Sequence, residues 1–159
     1  MTENILIPEP LEKLIARYGP RTLQILVRIL GPDEAGDAYQ ETWLAVWNAR
    51  GDFRRTTWRF VRRVAMARAV DRIRTRDRGP RIATGVDPDP AVETTDAPEI
   101  DLNRLLPLER AALTLHFWEG MSIREIATEL GAPVNTVKTW MHRGRERLRR
   151  QILQEEERR

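Results

Sequence analysis

The chain has 159 residues, 27 Lys+Arg against 24 Asp+Glu, a net charge of +3 and no cysteine. This length fits one domain or two small ones, and the lack of cysteine excludes a disulfide framework, a CxxC redox site and a thiolate zinc site. No apolar run approaches the roughly 20 residues that span a bilayer, and the N-terminus lacks a signal-peptide pattern. We therefore expect a cytoplasmic protein.

The small net charge hides a strong segregation of charges along the chain. Residues 1–49 carry a net charge of −3, residues 50–81 carry +9, residues 82–103 carry −6, residues 104–134 carry −1 and residues 135–159 carry +4. Two basic blocks separated by an acidic one are expected of a chain that contacts a polyanion twice. A basic run is also compatible with a solvated helix face, so charge alone leaves both interpretations open.

In the first half, the spacing of apolar residues predicts three helices. The first begins at Leu11, is interrupted at Gly19-Pro20 and ends at Gly31-Pro32. The second runs from about 33 to 49, and the third from 56 or 57 to about 76. Apolar residues lie on two sides of the third helix, so we expect it to pack against two neighbours. The apolar face of the second helix is predicted to hold Tyr39, Trp43, Val46 and Trp47.

A linker is predicted between the two halves. Residues 79–101 contain four prolines, two glycines and six acids, a composition typical of a flexible linker. Nowhere do alternating β-branched residues bounded by turn signals indicate a sheet. The predicted fold is therefore all-α, with two small helical domains at 1–78 and 104–159 joined by a flexible acidic linker at 79–103.

In the second half, the predicted elements form a helix-turn-helix. One helix begins at Leu106-Pro107 and stops at Gly120, with a proline suited to the first helical position. Its predicted apolar stripe consists of Leu108, Ala112, Leu115 and Trp118. Ser122 and Glu125 form a capping box that opens a short helix. Gly131 then supplies the turn before a long helix from about Asn135.

The long helix has an inward and an outward face. Ala127 is small where the two helices of the motif approach most closely, and Val137 returns to the core. The inward face is predicted to hold Val134, Val137, Met141, Gly144, Leu148 and Ile152. The outward face holds Asn135, Thr136, Lys138, Thr139, Trp140, His142 and Arg143, mostly donors and cations that suit base edges and phosphates. The alternative is a helical hairpin with a basic solvated face. Trp140 is compatible with contact to DNA, to a partner or to its own domain.

Three motifs resemble one protein family. They are DAYQETWLAVW (37–47), RAVDRIRTR (68–76) and the continuous stretch 106–152 that contains the helix-turn-helix. Together they resemble a bacterial RNA polymerase sigma factor of the extracytoplasmic-function (group IV) type, which keeps sigma regions 2 and 4. The resemblance implies a transcription initiation factor that binds core RNA polymerase and directs it to promoters, with an anti-sigma factor as a further partner.

The resemblance also implies three groups of site residues. Core-polymerase binding falls to Asp37, Gln40, Glu41 and Trp43. Recognition and melting of the minus-10 element fall to Phe53, Arg54, Arg55, Trp58, Arg59, Arg62, Arg63, Arg68 and Arg72. Reading of the minus-35 element falls to Asn135, Thr136, Lys138, Thr139, Trp140, Arg143 and Arg147. In physical terms the arginines of the second group suit phosphates, and Phe53 and Trp58 suit either base stacking or core packing.

The chain departs from the family pattern at a few positions. Gly36 replaces a usual acid, Ala67 replaces a usual asparagine, Trp140 replaces a common arginine, and the loop between Trp47 and Phe60 is about two residues short. The alternative function is a helix-turn-helix regulator that acts at operators without serving as a sigma subunit. An enzyme using the carboxylates of the second helix is the third reading. We expect neither catalysis nor a metal or other cofactor, because no His, Ser or metal-ligand constellation converges in the sequence.

Overall fold

The computed structural model describes residues 9–49, 56–78 and 101–158, and this part of the chain is helical with no strand. A short 3-10 turn at Leu102–Arg104 precedes the fourth helix. The six α-helices are α1 (Leu11–Leu30), α2 (Pro32–Ala49), α3 (Trp58–Arg78), α4 (Pro107–Phe117), α5 (Ile123–Leu130) and α6 (Val134–Glu156). The predicted all-α class is confirmed.

Helix α1 is continuous through Gly19-Pro20, so the predicted interruption is wrong. Pro20 lies on the exposed side of the helix, whereas Gly19 is buried. A Cβ atom at position 19 would meet the hydroxyl of Tyr39 at 2.7 Å. The glycine therefore lets α1 and α2 approach closely, and packing between the two helices outweighs the cost of an internal proline.

Helices α1, α2 and α3 pack against one another as a bundle. One cluster of their buried side chains holds Leu14, Trp43, Val46 and Val61. Further along α3, Met66 and Ile73 are also buried. The two apolar sides predicted for α3 are thus both covered, and α3 contacts α5 and α4 as well as α1 and α2.

Helices α4, α5 and α6 contain the predicted helix-turn-helix. The side chain of Ser122 accepts a hydrogen bond from the amide of Glu125, and Gly131 ends α5 in the left-handed conformation with φ of 61°. At Gly144 of α6 a Cβ atom would lie 2.7 Å from Cδ1 of Leu113, so this glycine permits the close crossing of α4 and α6. The predicted capping box and turn are confirmed.

The two groups of helices pack on each other and share one buried core. This cluster includes Leu26 of α1 and Ile73 of α3 together with Leu115 of α4 and Ile126 of α5. Two residues predicted to face the core of the second group are instead exposed, Trp118 at 50% and Val134 at 36%. The guanidinium of Arg28 in α1 lies 4.9 Å from the ring centroid of Trp118, so Trp118 belongs to the contact between the groups. Residues 79–100 lie outside the described part, and the linker there stays a prediction.

Candidate polymerase and nucleic-acid interfaces

The outer face of α2 carries polar residues next to an exposed apolar edge. Asp37, Gln40 and Glu41 are exposed. Trp43 is only 5% exposed and packs in the bundle core, so it shapes the helix rather than presenting a side chain to a partner. Trp47, predicted for the apolar inward face, is 45% exposed.

Sequence reasoning missed Leu44 as part of this face. Leu44 is 63% exposed and lines an open groove between α2 and α1 together with Trp47 and Ile15. The spacing of positions 37, 40, 41, 44 and 47 places them along one side of a helix, so the signal was present in the sequence. An apolar residue exposed at this spacing is typical of a protein-binding surface.

The arginines of α3 differ in their availability. Arg59 and Arg63 are exposed, whereas Arg62, Arg68 and Arg72 are half-buried. Arg72 forms an ion pair with Glu41 of α2, which joins a predicted DNA contact to a predicted polymerase contact. The Nε atoms of Arg68 and Arg72 are buried without a hydrogen-bond partner among the described residues. Phe53, Arg54 and Arg55, which the sequence assigns to the same surface, lie outside the described residues.

Trp58 at the start of α3 is half-buried and already surrounded. Its indole N–H donates to Oε2 of Glu119 at 2.8 Å. The guanidinium carbon of Arg21 lies 4.4 Å from the centroid of its ring, and the ring of Tyr18 is centred 6.0 Å away. In this arrangement the ring is held between residues of the chain itself.

Helix α6 presents the most accessible polar face in the described part of the chain. Asn135, Lys138, Thr139 and Arg143 are exposed and Thr136 is half-buried. The hydroxyl of Thr139 donates to the backbone oxygen of Asn135 at 3.0 Å. The exposed side chains all lie in the first three turns of the helix, which is the part that enters the major groove in a helix-turn-helix.

Two other residues assigned to α6 contacts are engaged within the chain. Trp140 is half-buried and packs against the shared core, so of the three roles left open for it the structure places it against its own domain. Nε of Arg147 lies 3.1 Å from Oε2 of Glu109, a carboxylate whose side chain is only 1% exposed. Oε2 of Glu109 also accepts a hydrogen bond from the amide of Leu106 at 3.3 Å. Arg147 is therefore held towards α4.

Local electrostatics support the second group of helices. The hydrogen bond from the Ser122 amide lowers the pKa of Glu125 below its ordinary value. Burial lowers the pKa of the Arg110 guanidinium, and the charge of Arg76 lowers it further. Nη1 of Arg110 donates to the side-chain oxygen of Asn103 at 2.9 Å. These interactions fix the start of α5 and the start of α4.

Other kinds of site were searched over the described ranges 9–49, 56–78 and 101–158. These ranges contain no cluster of three or more His, Asp or Glu side chains arranged to hold a metal ion. Over the same residues, no helix combines the length and the apolar character needed to cross a bilayer.

Comparisons with known proteins agree with this arrangement of surfaces. The Sigma-70 region 2 family matches residues 14–79, and the Sigma-70, region 4 family matches residues 102–148. The RNA polymerase sigma-H factor of Pseudomonas aeruginosa is 30% identical over 158 residues, which cover 84% of this chain and 81% of that protein. The ECF RNA polymerase sigma factor SigW of Bacillus subtilis is 29% identical over 160 residues, 85% of this chain and 84% of that protein.

Two solved structures share the fold. The sigma factor RpoE in complex with the anti-sigma factor NepR from Bartonella quintana matches with a TM-score of 0.64 at 20% identity, over 89% of this chain and 95% of that one. CnrH in complex with the cytosolic domain of CnrY matches with a TM-score of 0.54 at 24% identity, over 89% of this chain and 86% of that one. Both family regions and a full-length relative agree, so the chain belongs to the sigma-70 family of RNA polymerase initiation factors and is of the extracytoplasmic-function type, binding core RNA polymerase and directing it to promoters.

Proposed function

We propose that this sigma factor divides its work among three helices. Helix α2 binds core polymerase, α3 recognises and opens the minus-10 element, and α6 reads the minus-35 element. The division of the chain at 1–78, 79–103 and 104–159 into region 2, linker and region 4 is part of this proposal. The observation that carries it is the accessible polar face of α6 on a capped helix-turn-helix.

For α6 the proposed contacts are of two kinds. Asn135, Thr136, Lys138 and Thr139 lie in the first two turns, where side chains meet base edges. Arg143, about one turn further on, is exposed and suits guanine or phosphate. Trp140 and Arg147 would contribute through the shape of the helix and not through a DNA contact, because one packs on the core and the other on Glu109.

For α2 the proposed polymerase contact joins polar and apolar residues. Asp37, Gln40 and Glu41 supply charge and hydrogen bonds, and the exposed Leu44 and Trp47 supply apolar area beside them. A polar rim around apolar anchors is the usual composition of a protein interface. Trp43 supports this surface from inside the bundle.

The polymerase performs the chemistry of transcription, and sigma factors act as initiation factors without catalysis of their own. We place this action in the cytoplasm, where polymerase and promoter DNA meet. An anti-sigma factor is a further proposed partner. Support for it comes from the RpoE structure with the anti-sigma factor NepR, whose fold this chain shares.

The test is reconstitution with core polymerase on genomic DNA fragments. Purified chain plus core should give transcripts with defined start sites, whereas core alone should not. The control is a double variant of α2, Gln40→Ala with Leu44→Ala, which should reduce both core binding and transcription because it removes polar and apolar contacts together. Stable binding of the free chain to a duplex operator, with no promoter-dependent transcript from any fragment, would instead support the regulator.

A further inference from the structure

Two buried carboxylates lie between the two groups of helices. Glu119 lies in the turn after α4 and its side chain is 5% exposed. Glu129 lies in α5 and its side chain is 4% exposed. A carboxylate so far removed from water needs charged or hydrogen-bonding partners, and for both residues those partners are supplied by the other group of helices.

Glu119 binds three side chains of the first group. Oε2 accepts the indole N–H of Trp58 at 2.8 Å and a hydrogen bond from Nη2 of Arg21 at 3.0 Å. Nε of Arg21 donates to Oε1 at 3.3 Å, so the guanidinium binds the carboxylate with two bonds. Nη1 of Arg62 completes the set, 3.5 Å from Oε2.

Glu129 binds the same face of α3. Its Oε1 accepts a hydrogen bond from Nε of Arg62 at 3.3 Å, and its Oε2 lies 4.0 Å from Nε of Arg63. Arg62 is therefore enclosed by two carboxylates, and only 13% of its side chain is exposed. We call Glu119 and Glu129, with Arg21, Trp58, Arg62 and Arg63, the carboxylate latch.

Three residues of the latch belong to the surface proposed to open the minus-10 element. A carboxylate bound to arginine occupies the donors that a phosphate would use, and its negative charge repels the phosphate backbone. Trp58 is likewise covered by Glu119 and Arg21 and has no free face for a base. DNA and the latch thus compete for the same atoms of α3.

We infer that the free chain holds itself closed through the carboxylate latch, and that the two groups of helices separate before α3 binds minus-10 DNA. The closed state follows from the contacts alone, whereas its consequence for DNA rests on the function proposed for α3. Polymerase binding to α2 is the natural trigger, since Glu41 of α2 already pairs with Arg72 of α3. Helix α6 takes no part in the latch, so its outward face stays accessible in the closed chain.

The first test measures the distance between the groups. The chain has no cysteine, so Ala16→Cys on α1 and Gln154→Cys on α6, both at exposed positions, give two unique spin-label sites. In the double variant Glu119→Gln with Glu129→Gln, Arg21, Arg62 and Arg63 converge without acids between them. We expect the single short distance of the parent to become long and broad. The matched control is Glu156→Gln with Glu157→Gln, which changes the net charge equally at exposed positions of the C-terminal end.

The second test measures binding of a fluorescein-labelled single-stranded 20-mer of mixed sequence to the free chain. If the closed form makes up about nine-tenths of the population, opening it tightens binding about tenfold. The control pair should leave affinity unchanged or strengthen it only slightly. Circular dichroism checks folding. Should the double variant lose helix, Glu129→Gln alone, which keeps Glu119 with Arg21 and Trp58, should give an intermediate distance and affinity.

The outcomes separate the latch from the proposed function. An unchanged distance distribution in the double variant overturns the latch. A longer distance without tighter oligonucleotide binding overturns the competition with DNA. Promoter-dependent transcription by the unmodified chain with core polymerase is measured separately, and its absence would contradict the proposed function whatever the distances show.

Discussion

Helices α3 and α6 are both rich in arginine, but they present their charges differently. On α3, Arg62, Arg72 and Arg76 are each paired with an acid from another helix or turn. On α6, no described carboxylate lies within ion-pair distance of Lys138 or Arg143. Two helices with similar composition thus differ in how readily they meet DNA.

The difference arises from the neighbours of each helix rather than from its own sequence. Helix α3 lies in the middle of the structure and contacts four other helices, some of which carry acids at the contact. The outward face of α6 has no neighbour among the described residues, because only its inward face packs on α4 and α5. A basic helix is therefore a ready DNA surface only where no acid of the same chain reaches it.

The largest expected effect concerns the one cation of α6 that does resemble those of α3. Glu109→Ala removes the carboxylate that holds Arg147 and caps α4, and leaves the amide of Leu106 without its partner. Loss of a buried charged partner costs about 2 to 4 kcal/mol, towards the lower end here because Arg147 reaches solvent. Urea denaturation measures this cost. Glu156→Ala at an exposed site is the control, and equal stabilities of the two variants would show that Glu109 is not a structural anchor.

The next prediction examines whether the open face of α6 is used. Arg143→Ala should weaken a promoter mapped with the reconstituted holoenzyme by about 1 to 3 kcal/mol if Arg143 reads a base. If it contacts a phosphate, the slope of log affinity against log salt should fall by about 0.9. Arg150→Ala, an exposed arginine further along α6, should do neither. An unchanged promoter affinity and salt slope in Arg143→Ala would remove the distinction between α6 and α3.

Much of the fold was predictable from local sequence patterns. Period, caps and turns predicted all six helices, and the Ser122 to Glu125 box and Gly131 are where expected. The continuous α1 was not predictable, because it depends on the approach of Tyr39 to Gly19 from another helix. Trp118 was misassigned for a similar reason, since its partner Arg28 lies in the other group.

The candidate site divides in the same manner. The outward face of α6 follows from helical periodicity alone, since the inward positions are set within one motif. The state of Arg62 does not, because its two acids, Glu119 and Glu129, are 57 and 67 residues away in the chain. Local sequence cannot tell which acids will be brought together with which arginines, so the charge pattern indicated the number of basic surfaces but not their accessibility.

A smaller effect is expected from the cap that presents α6 to DNA. Ser122→Ala removes the acceptor for the Glu125 amide at 3.3 Å and should lower the free energy of unfolding by about 1 kcal/mol. Thr128→Ala is the matched control, since its hydroxyl donates to a carbonyl within α5 that already belongs to the helix. Equal stability of the two variants would mean that packing alone, and not the cap, fixes the helix-turn-helix.

The smallest effect separates a local carboxylate from those of the latch. Glu125 is exposed and accepts the Ser122 amide at 2.8 Å, and this hydrogen bond lowers its pKa. A depressed carboxyl pKa stabilises the fold above the unfolded value of about 4.3 and loses that contribution as the pH falls through the folded pKa. The stability difference between parent and Glu125→Gln should therefore be largest near neutral pH and shrink in acid. Because Glu125 bonds only within its own turn, the label distance between the two groups should not change in this variant. A widened distance would mean that the capping box also holds the chain closed, and that α5 rather than the two buried acids governs access to α3.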